Sequence, residues 1–304
     1  MKDASRLTLG QRLVLLAPYL WIVSFLLAPL LLVFKISLSE SVLARPPYRP
    51  LFELSDGIAG LWSKAQTLTL DAYRTLFTDN LYLDAYISSL TIAAISTLVT
   101  LLVAYPFAMA MARAPAPWRP FLIGLAAAPF WTSFLIRVYA WIALLKDEGL
   151  INKALIALGL IDAPIEMFAT RFAVVIGIVY SYLPFMLLTI YSALERQDPT
   201  LREASADLGA SPVGTFLQVT LPLSREGMIA GVLLVFIPAV GEFVIPDLLG
   251  GSDTLMIGRA LWNDFFANHD WPTASAAAIV LLALLIAPLV ALERLRFGEN
   301  EGRS

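Results

Sequence analysis

ERQDPTLREASADLGASPVGTFLQVTLPLS, residues Glu195 to Ser224, is a polar segment set between two long apolar runs. Its local grammar is helical. Thr200-Leu-Arg-Glu203 has the spacing of a capping box, with Thr200 as the cap and Glu203 reaching back. Leu201, Ala204, Ser205 and Leu208 then fall on one small, mostly apolar face. Gly209 is the expected stop, because glycine accepts the left-handed conformation that ends a helix. Ser211-Pro212 restarts the chain as an N-cap followed by a first-turn proline. Val213, Phe216 and Leu217 give the second helix an apolar stripe, and Pro222 marks entry to the next run. A helix, a glycine turn and a second helix are predicted. Such a pair either packs on its own bundle or docks into another protein's cleft.

The flanking runs define the surroundings. The 304 residues are 59% apolar and 15% charged, against about 45–50% and about 25% in a soluble domain. The chain is read as an integral membrane protein. A net charge of −3 carries no nucleic-acid footprint. The absence of cysteine excludes disulfides and thiolate metal sites, and the single histidine, His269, excludes His-pair zinc motifs. His269 is given no role beyond a surface position.

Six stretches reach the length of about 20 apolar residues that a bilayer-crossing helix needs. They are 13–34, 85–112, 120–145, 171–194, 226–249 and 273–292. The first is read as a retained span rather than a signal peptide, whose apolar core is shorter. Basic residues orient the set, because they concentrate on the cytoplasmic side. Arg113 and Arg119 in the short link between the second and third runs are the most telling. Both termini and the Glu195–Ser224 segment are therefore expected inside, and 35–84 outside. Interfacial anchoring accounts for Trp62, Trp262 and Trp271.

Charges within the runs suggest a path for a solute, since a charge at the bilayer centre costs about 2.5–3.5 kcal/mol on insertion scales. Arg137 and Glu242 fall roughly 12 Å and roughly 10 Å from the outer ends of their runs at ~1.5 Å per residue. Similar depth makes them a candidate structural ion pair. Alternatively, Glu242 and Asp247 are way-stations for a cation, with Trp131, Tyr139, Tyr180 and Tyr182 offering aromatic faces. For each aromatic taken singly, plain packing is the competing role. Pro238, Gly241 and Pro246 surround Glu242 and loosen the helix there. No engine is visible. A P-loop needs lysine after glycine, and none of Lys2, Lys35, Lys64, Lys146 and Lys153 has one before it.

The spacing in the polar segment carries a resemblance. Glu203-Ala204-Ser205, three residues, Gly209, nine residues, then Val219-Thr220-Leu221-Pro222 resembles the EAA loop of ABC-importer permeases, E-A-A-x3-G-x9-I-x-L-P. Ser205 stands for the second alanine and Val219 for the isoleucine. PFWTSFLIRVYAW (Pro129–Trp141), YSYLPFMLL (Tyr180–Leu188), IPAVGEFVIPDLLGG (Ile237–Gly251) and HDWPTASA (His269–Ala276) look like the inner-membrane permeases of spermidine/putrescine importers. The putrescine-type member of a two-permease pair is the nearest match, from about residue 85 onward.

The resemblance implies an all-α integral membrane protein of the MetI-like type I importer fold, with six transmembrane helices and cytoplasmic termini, in a bacterial inner membrane. It implies a single non-catalytic permease domain over 1–304. Glu203, Ala204, Ser205, Leu208, Gly209, Leu221 and Pro222 would form the ATPase-coupling loop. Glu203 keeps two readings, half of a capping box or an ion-pair partner of the ATPase. The chain would bind no cofactor; ATP and Mg2+ would sit on the partner. Implied partners are a second permease, two ATPase subunits, a periplasmic or extracellular polyamine-binding protein and membrane lipid. The alternatives are a permease for another small organic solute, and an ion-coupled secondary transporter. The latter predicts an internal repeat and leaves the polar segment unexplained. An intramembrane enzyme lacks any catalytic constellation.

Overall fold

The computed structural model describes residues 9–301. These form two compact units, one from the chain up to Leu83 together with that from Leu261, the other from Asp84–Ala260.

The first unit is built on the N-terminal apolar run. Helix Leu9–Ile22 continues through a single π turn, Val23–Leu27, into helix Ala28–Ser37. The stretch Val14–Ser37 is long and apolar enough to cross a membrane. Helix Ala28–Ser37 packs against the C-terminal helix Trp271–Glu301, as does helix Asp71–Thr78. The polar region 35–84 is folded rather than a loose loop. A two-stranded antiparallel ribbon pairs Glu40 with Arg49, and helix Gly57–Ala65 follows. Lys64 binds Asp56 at 2.6 Å, and the Leu38 carbonyl accepts the Thr69 N–H at 2.8 Å. The buried carboxylate of Asp264 accepts the Tyr82 hydroxyl at 2.9 Å and the Asn268 amide at 3.0 Å.

The second unit is held by close helix packing. Helix Arg171–Glu195 lies against helix Arg225–Val240, burying Met186, Ile190 and Val235. Gly227 and Gly231, four residues apart, set this approach. A Cβ on Gly227 would meet the Thr189 carbonyl oxygen at 2.8 Å, and one on Gly231 the Met186 sulfur at 2.6 Å. In lipid, where burial of apolar surface gives little drive, such small-residue contact is what lets helices adhere. Helix Asn80–Arg113 joins this core through Ala104, Tyr105 and Ala108, and Tyr105 shares a hydrogen bond of 2.9 Å with Ser224.

The expected spans are borne out in part. Among the described residues, three helices are individually long and apolar enough to cross a membrane: Val14–Ser37, Asn80–Arg113 and Arg171–Glu195. Two further crossings exist only if bent pairs count as one each. Ala116–Trp131 meets Phe134–Ala157 at 88°, and Pro212–Leu223 meets Arg225–Val240 at 64°. The expected run 273–292 lies within the 31-residue helix Trp271–Glu301, whose apolar part among the described residues is Trp271–Ala287. Of the six expected spans, the described residues therefore bear out three, or up to five with each bent pair counted as one.

Both breaks in the expected third and fifth spans have local causes. At Thr132–Ser133 the backbone turns extended, and the Thr132 N–H and hydroxyl both take up the Pro129 carbonyl, at 3.3 and 2.9 Å. At Gly241–Phe243 the helix ends and restarts as Val244–Leu249. In an unbroken helix the Pro246 ring would clash with the carbonyl four residues earlier, which belongs to Glu242. The break therefore falls at Glu242.

Candidate functional site

The polar segment folds as helix Pro199–Asp207, a turn, helix Pro212–Thr215, a π turn at Phe216–Thr220 and a last turn at Leu221–Leu223. Asp198, not Thr200, is the N-cap: its carboxylate accepts the Thr200 N–H at 2.9 Å, with Pro199 at the first helical position. That bond holds the Asp198 carboxyl below its ordinary range. Proline has no N–H to satisfy, so a cap directly before it serves the next donor. Glu203 is thereby displaced from the capping-box position. Its carboxylate is exposed and has no hydrogen-bond or ion-pair partner among the described residues.

The helix ends as a Schellman motif. Gly209 takes φ +83°, its N–H reaches the Ala206 carbonyl at 2.9 Å, and the Ala210 N–H reaches that of Ser205 at 3.1 Å. Ser211 caps the second helix through the Gly214 N–H at 3.1 Å. Ser205 and Thr215 then share a hydrogen bond of 3.0 Å, which braces one helix against the other. Around the turn the surface is apolar and open, with Leu208 89% and Val213 67% exposed. An open cleft of about 650 Å³ beside them is lined in part by Glu203, Arg202, Val213 and Phe216. Ala204 is exposed on this helix, while Leu221 and Pro222 lie in the last turn. The braced pair of helices presents apolar tips and, among the described residues, two carboxylates without a partner, Glu203 and Asp207.

Around Glu242 the structure brings together some of the charged and aromatic residues and separates others. Glu242 is 9% exposed. Its Oε1 accepts the N–H groups of Val244 and Ile245, at 3.1 and 3.4 Å, so it caps the helix that restarts after the break. The Tyr182 hydroxyl donates to Oε2 at 2.6 Å. The helices bearing Arg137, Tyr182 and Asp247 pack on one another.

Among the described residues, Arg137 and Glu242 do not form the expected ion pair. The straight-helix depth that matched them does not apply, because the 88° bend precedes Arg137 by one turn. Arg137 instead lies over the Phe134 ring at 5.7 Å, with Nε and Nη1 buried and lacking hydrogen-bond partners. Asp247 is paired with Arg259 at 3.1 Å. Tyr180 packs edge-on against Trp141 at 5.5 Å. Trp131, at 82%, and Tyr139 are exposed on the surface of the chain. Only Tyr182 of the four aromatics touches a candidate carboxylate.

Sequence reading missed Arg259 and Asp198. Asp198-Pro199 was a readable signal, since aspartate before a first-turn proline is a strong start. Arg259 had none, because it meets Asp247 across the non-helical loop that separates their two short helices, outside any helical spacing.

A family model described as "Binding-protein-dependent transport system inner membrane component" matches residues 12–294. The spermidine/putrescine transport system permease protein PotB of Haemophilus influenzae is 39% identical over 279 residues, covering 91% of this chain and 91% of that one. Two solved structures are similar in fold. A chain of a bacterial ABC transporter involved in the import of the acidic polysaccharide alginate gives a TM-score of 0.66 at 17% identity, over 93% of this chain and 94% of that one. A chain of the MetNI methionine ABC transporter, in inward-facing conformations, gives 0.53 at 16% identity over 71% and 94%.

Proposed function

Because the chain belongs to the binding-protein-dependent transport system inner membrane component family, we propose that it is a polyamine-importing permease subunit of an ATP-binding-cassette transporter. It has the MetI-like permease fold and is a multi-pass protein of the inner membrane. Its part is non-catalytic, and ATP with its Mg2+ belongs to a partner ATPase. The observation that carries the substrate class is the 39% identity to a spermidine/putrescine permease across 91% of both chains.

In this reading the chain crosses the bilayer six times with both termini in the cytoplasm, using the bent pairs and the C-terminal helix as spans. With a second permease it encloses the pore. A solute-binding protein delivers the amine from outside, and two ATPase subunits press on the coupling loops. Residues Glu203, Ala204, Ser205, Leu208, Gly209, Leu221 and Pro222 form that loop. Support comes from the free Glu203 carboxylate, the exposed Leu208 and Val213, and the Ser205–Thr215 brace. A braced pair of helices transmits displacement, whereas a loose loop would absorb it.

Glu242 and Asp247 are proposed as stations for the cationic amine. Each already holds one partner that a cation must displace: the Tyr182 hydroxyl on Glu242 and the Arg259 guanidinium on Asp247. Trp131 and Tyr139, exposed on this chain, and the half-buried Tyr180 and Tyr182 are proposed as aromatic faces for the amine.

The test is reconstitution of the chain with its second permease, ATPase and binding protein in vesicles. ATP hydrolysis is measured against a panel of amines. Stimulation by putrescine or spermidine is expected. Stimulation only by an unrelated solute defeats the substrate class, and uptake by the purified chain alone on an ion gradient defeats the importer reading.

A further inference from the structure

A second, smaller cleft lies where two membrane-length helices end. Helix Asn80–Arg113 stops at Arg113, and helix Arg171–Glu195 stops at Glu195. Between those ends is a space of about 130 Å³, lined in part by Arg113, Arg119, Arg202, Glu195, Ala112 and Leu194. Three guanidinium groups thus face one carboxylate. That carboxylate is already engaged, because Glu195 lies 3.7 Å from Arg119. Arg119 is further tied by its Nε to the Ala114 carbonyl at 2.9 Å. The guanidinium groups of Arg113 and Arg202 have no hydrogen-bond or ion-pair partner among the described residues.

From this arrangement we propose that the cleft binds the phosphate group of an anionic phospholipid. Arginine presents a planar fork of N–H donors that matches phosphate oxygens two at a time, and its charge survives any physiological pH. One arginine anchored by Glu195 and the Ala114 carbonyl, with two left unpartnered, makes a partly preorganised site with a net positive charge. At about 130 Å³ the cleft is roomy enough for a small tetrahedral anion.

Position favours a lipid over free phosphate. The cleft lies at the terminal residues of two helices of membrane-crossing length. Ala112 and Leu194, one residue back along each helix, add apolar wall where an acyl chain would begin. Basic pockets between transmembrane helices at the membrane boundary are where anionic headgroups are held. A zwitterionic choline headgroup brings a cation toward three arginines and is disfavoured.

The coupling helix supplies Arg202, so a bound lipid would touch the element proposed to meet the ATPase. The inference rests on the membrane-permease reading but not on the solute carried.

The assembled transporter, purified in mild detergent and exchanged into phosphatidylglycerol or phosphatidylcholine, is examined by native mass spectrometry for retained lipid. Retention of phosphatidylglycerol and not phosphatidylcholine is expected. The double variant Arg113→Gln/Arg202→Gln should retain it roughly tenfold to thirtyfold less, and Lys153→Gln, outside the cleft, should not change it. Should the double variant fail to assemble, Arg113→Lys/Arg202→Lys keeps the charge and is expected to retain less than wild type. Equal retention of both lipids, or no loss in either arginine variant, overturns the proposal. Release of the lipid by millimolar inorganic phosphate also overturns it, by making free phosphate the occupant. Transport is not read in this assay, so a wrong solute assignment leaves its outcome intact.

Discussion

The Tyr182 hydroxyl donates to Glu242 Oε2 at 2.6 Å, while Oε1 of the same carboxylate holds the N–H groups of Val244 and Ile245. One side chain therefore joins two helices and restarts a third. Its two oxygens have separable roles. Glu242→Gln keeps a carbonyl oxygen for the cap and loses the charge. It is expected to reduce amine uptake while leaving assembly intact. Glu242→Ala also loses the cap, at about 1 kcal/mol of stability. Uptake kinetics in vesicles and thermal unfolding in detergent read the two effects apart; unchanged uptake in Glu242→Gln removes the residue from the pathway.

The Asp247–Arg259 pair is half open to solvent, with side-chain exposures of 53% and 28%. Its contribution to stability is expected to be about 0.2–1 kcal/mol, after screening. A double-mutant cycle of Asp247→Asn and Arg259→Gln measures it. A coupling energy well above that range would show a pair far better shielded in the assembled transporter.

Packing at Gly227 and Gly231 leaves no room for a methyl group. Gly227→Ala drives its Cβ to 2.5 Å from the Ala193 Cβ and 2.8 Å from a backbone oxygen, which cannot yield as a side chain does. Destabilisation of about 1–3 kcal/mol is expected. Gly231→Ala should cost less, because the Met186 sulfur it meets belongs to a flexible side chain. Melting of the purified protein ranks the two, and the reverse order would contradict the packing described.

Capping of the coupling helix separates two carboxylates by role. Asp198→Ala should lower amide-exchange protection through the first turn of Pro199–Asp207 severalfold, since it removes the acceptor for Thr200. Thr200→Ala and Glu203→Ala should leave that protection unchanged. Glu203→Ala is instead expected to weaken association with the ATPase, measured by co-purification. Retained co-purification together with lost helix protection would return Glu203 to a capping role.

Burial raises the Asp264 carboxyl above its ordinary range, against the lowering effect of its hydrogen bonds to Asn268 and Tyr82. A raised folded-state pKa means the folded chain holds its proton more tightly than the unfolded chain. Stability is then largest below the unfolded value, near 3.8, and falls as pH rises toward the folded pKa. Asp264→Asn keeps an acceptor for the Tyr82 hydroxyl and removes this term. The wild-type-minus-variant difference in stability should therefore fall with rising pH above about 3.8 and then level off. A difference independent of pH would show that Asp264 does not titrate as described.

Local chemistry was readable wherever one residue type dictates its own backbone. Gly209 ends a helix because glycine takes a positive φ without strain, and Ser211-Pro212 starts one because the cap and the proline need only each other. The apolar runs were likewise legible as membrane-length segments. Their straightness was not. At the bends, Thr132 bonds the Pro129 carbonyl, and the Ser224 hydroxyl shares a hydrogen bond with that of Tyr105. A hydropathy pattern counts residues and carries no information about such partners.

The sequence by itself determined the membrane setting, the family and the helix–glycine turn–helix of the polar segment, because composition, run length and fixed motif spacing are properties of the chain alone. Tertiary structure alone decided which charges meet. Arg137 and Glu242 were matched by counting along straight helices. Once the chain bends by 88° before one and breaks at the other, Glu242 binds Tyr182 and Arg137 turns to Phe134. Contacts between residues distant along the chain are set by helix direction, and that direction is fixed only when the helices pack.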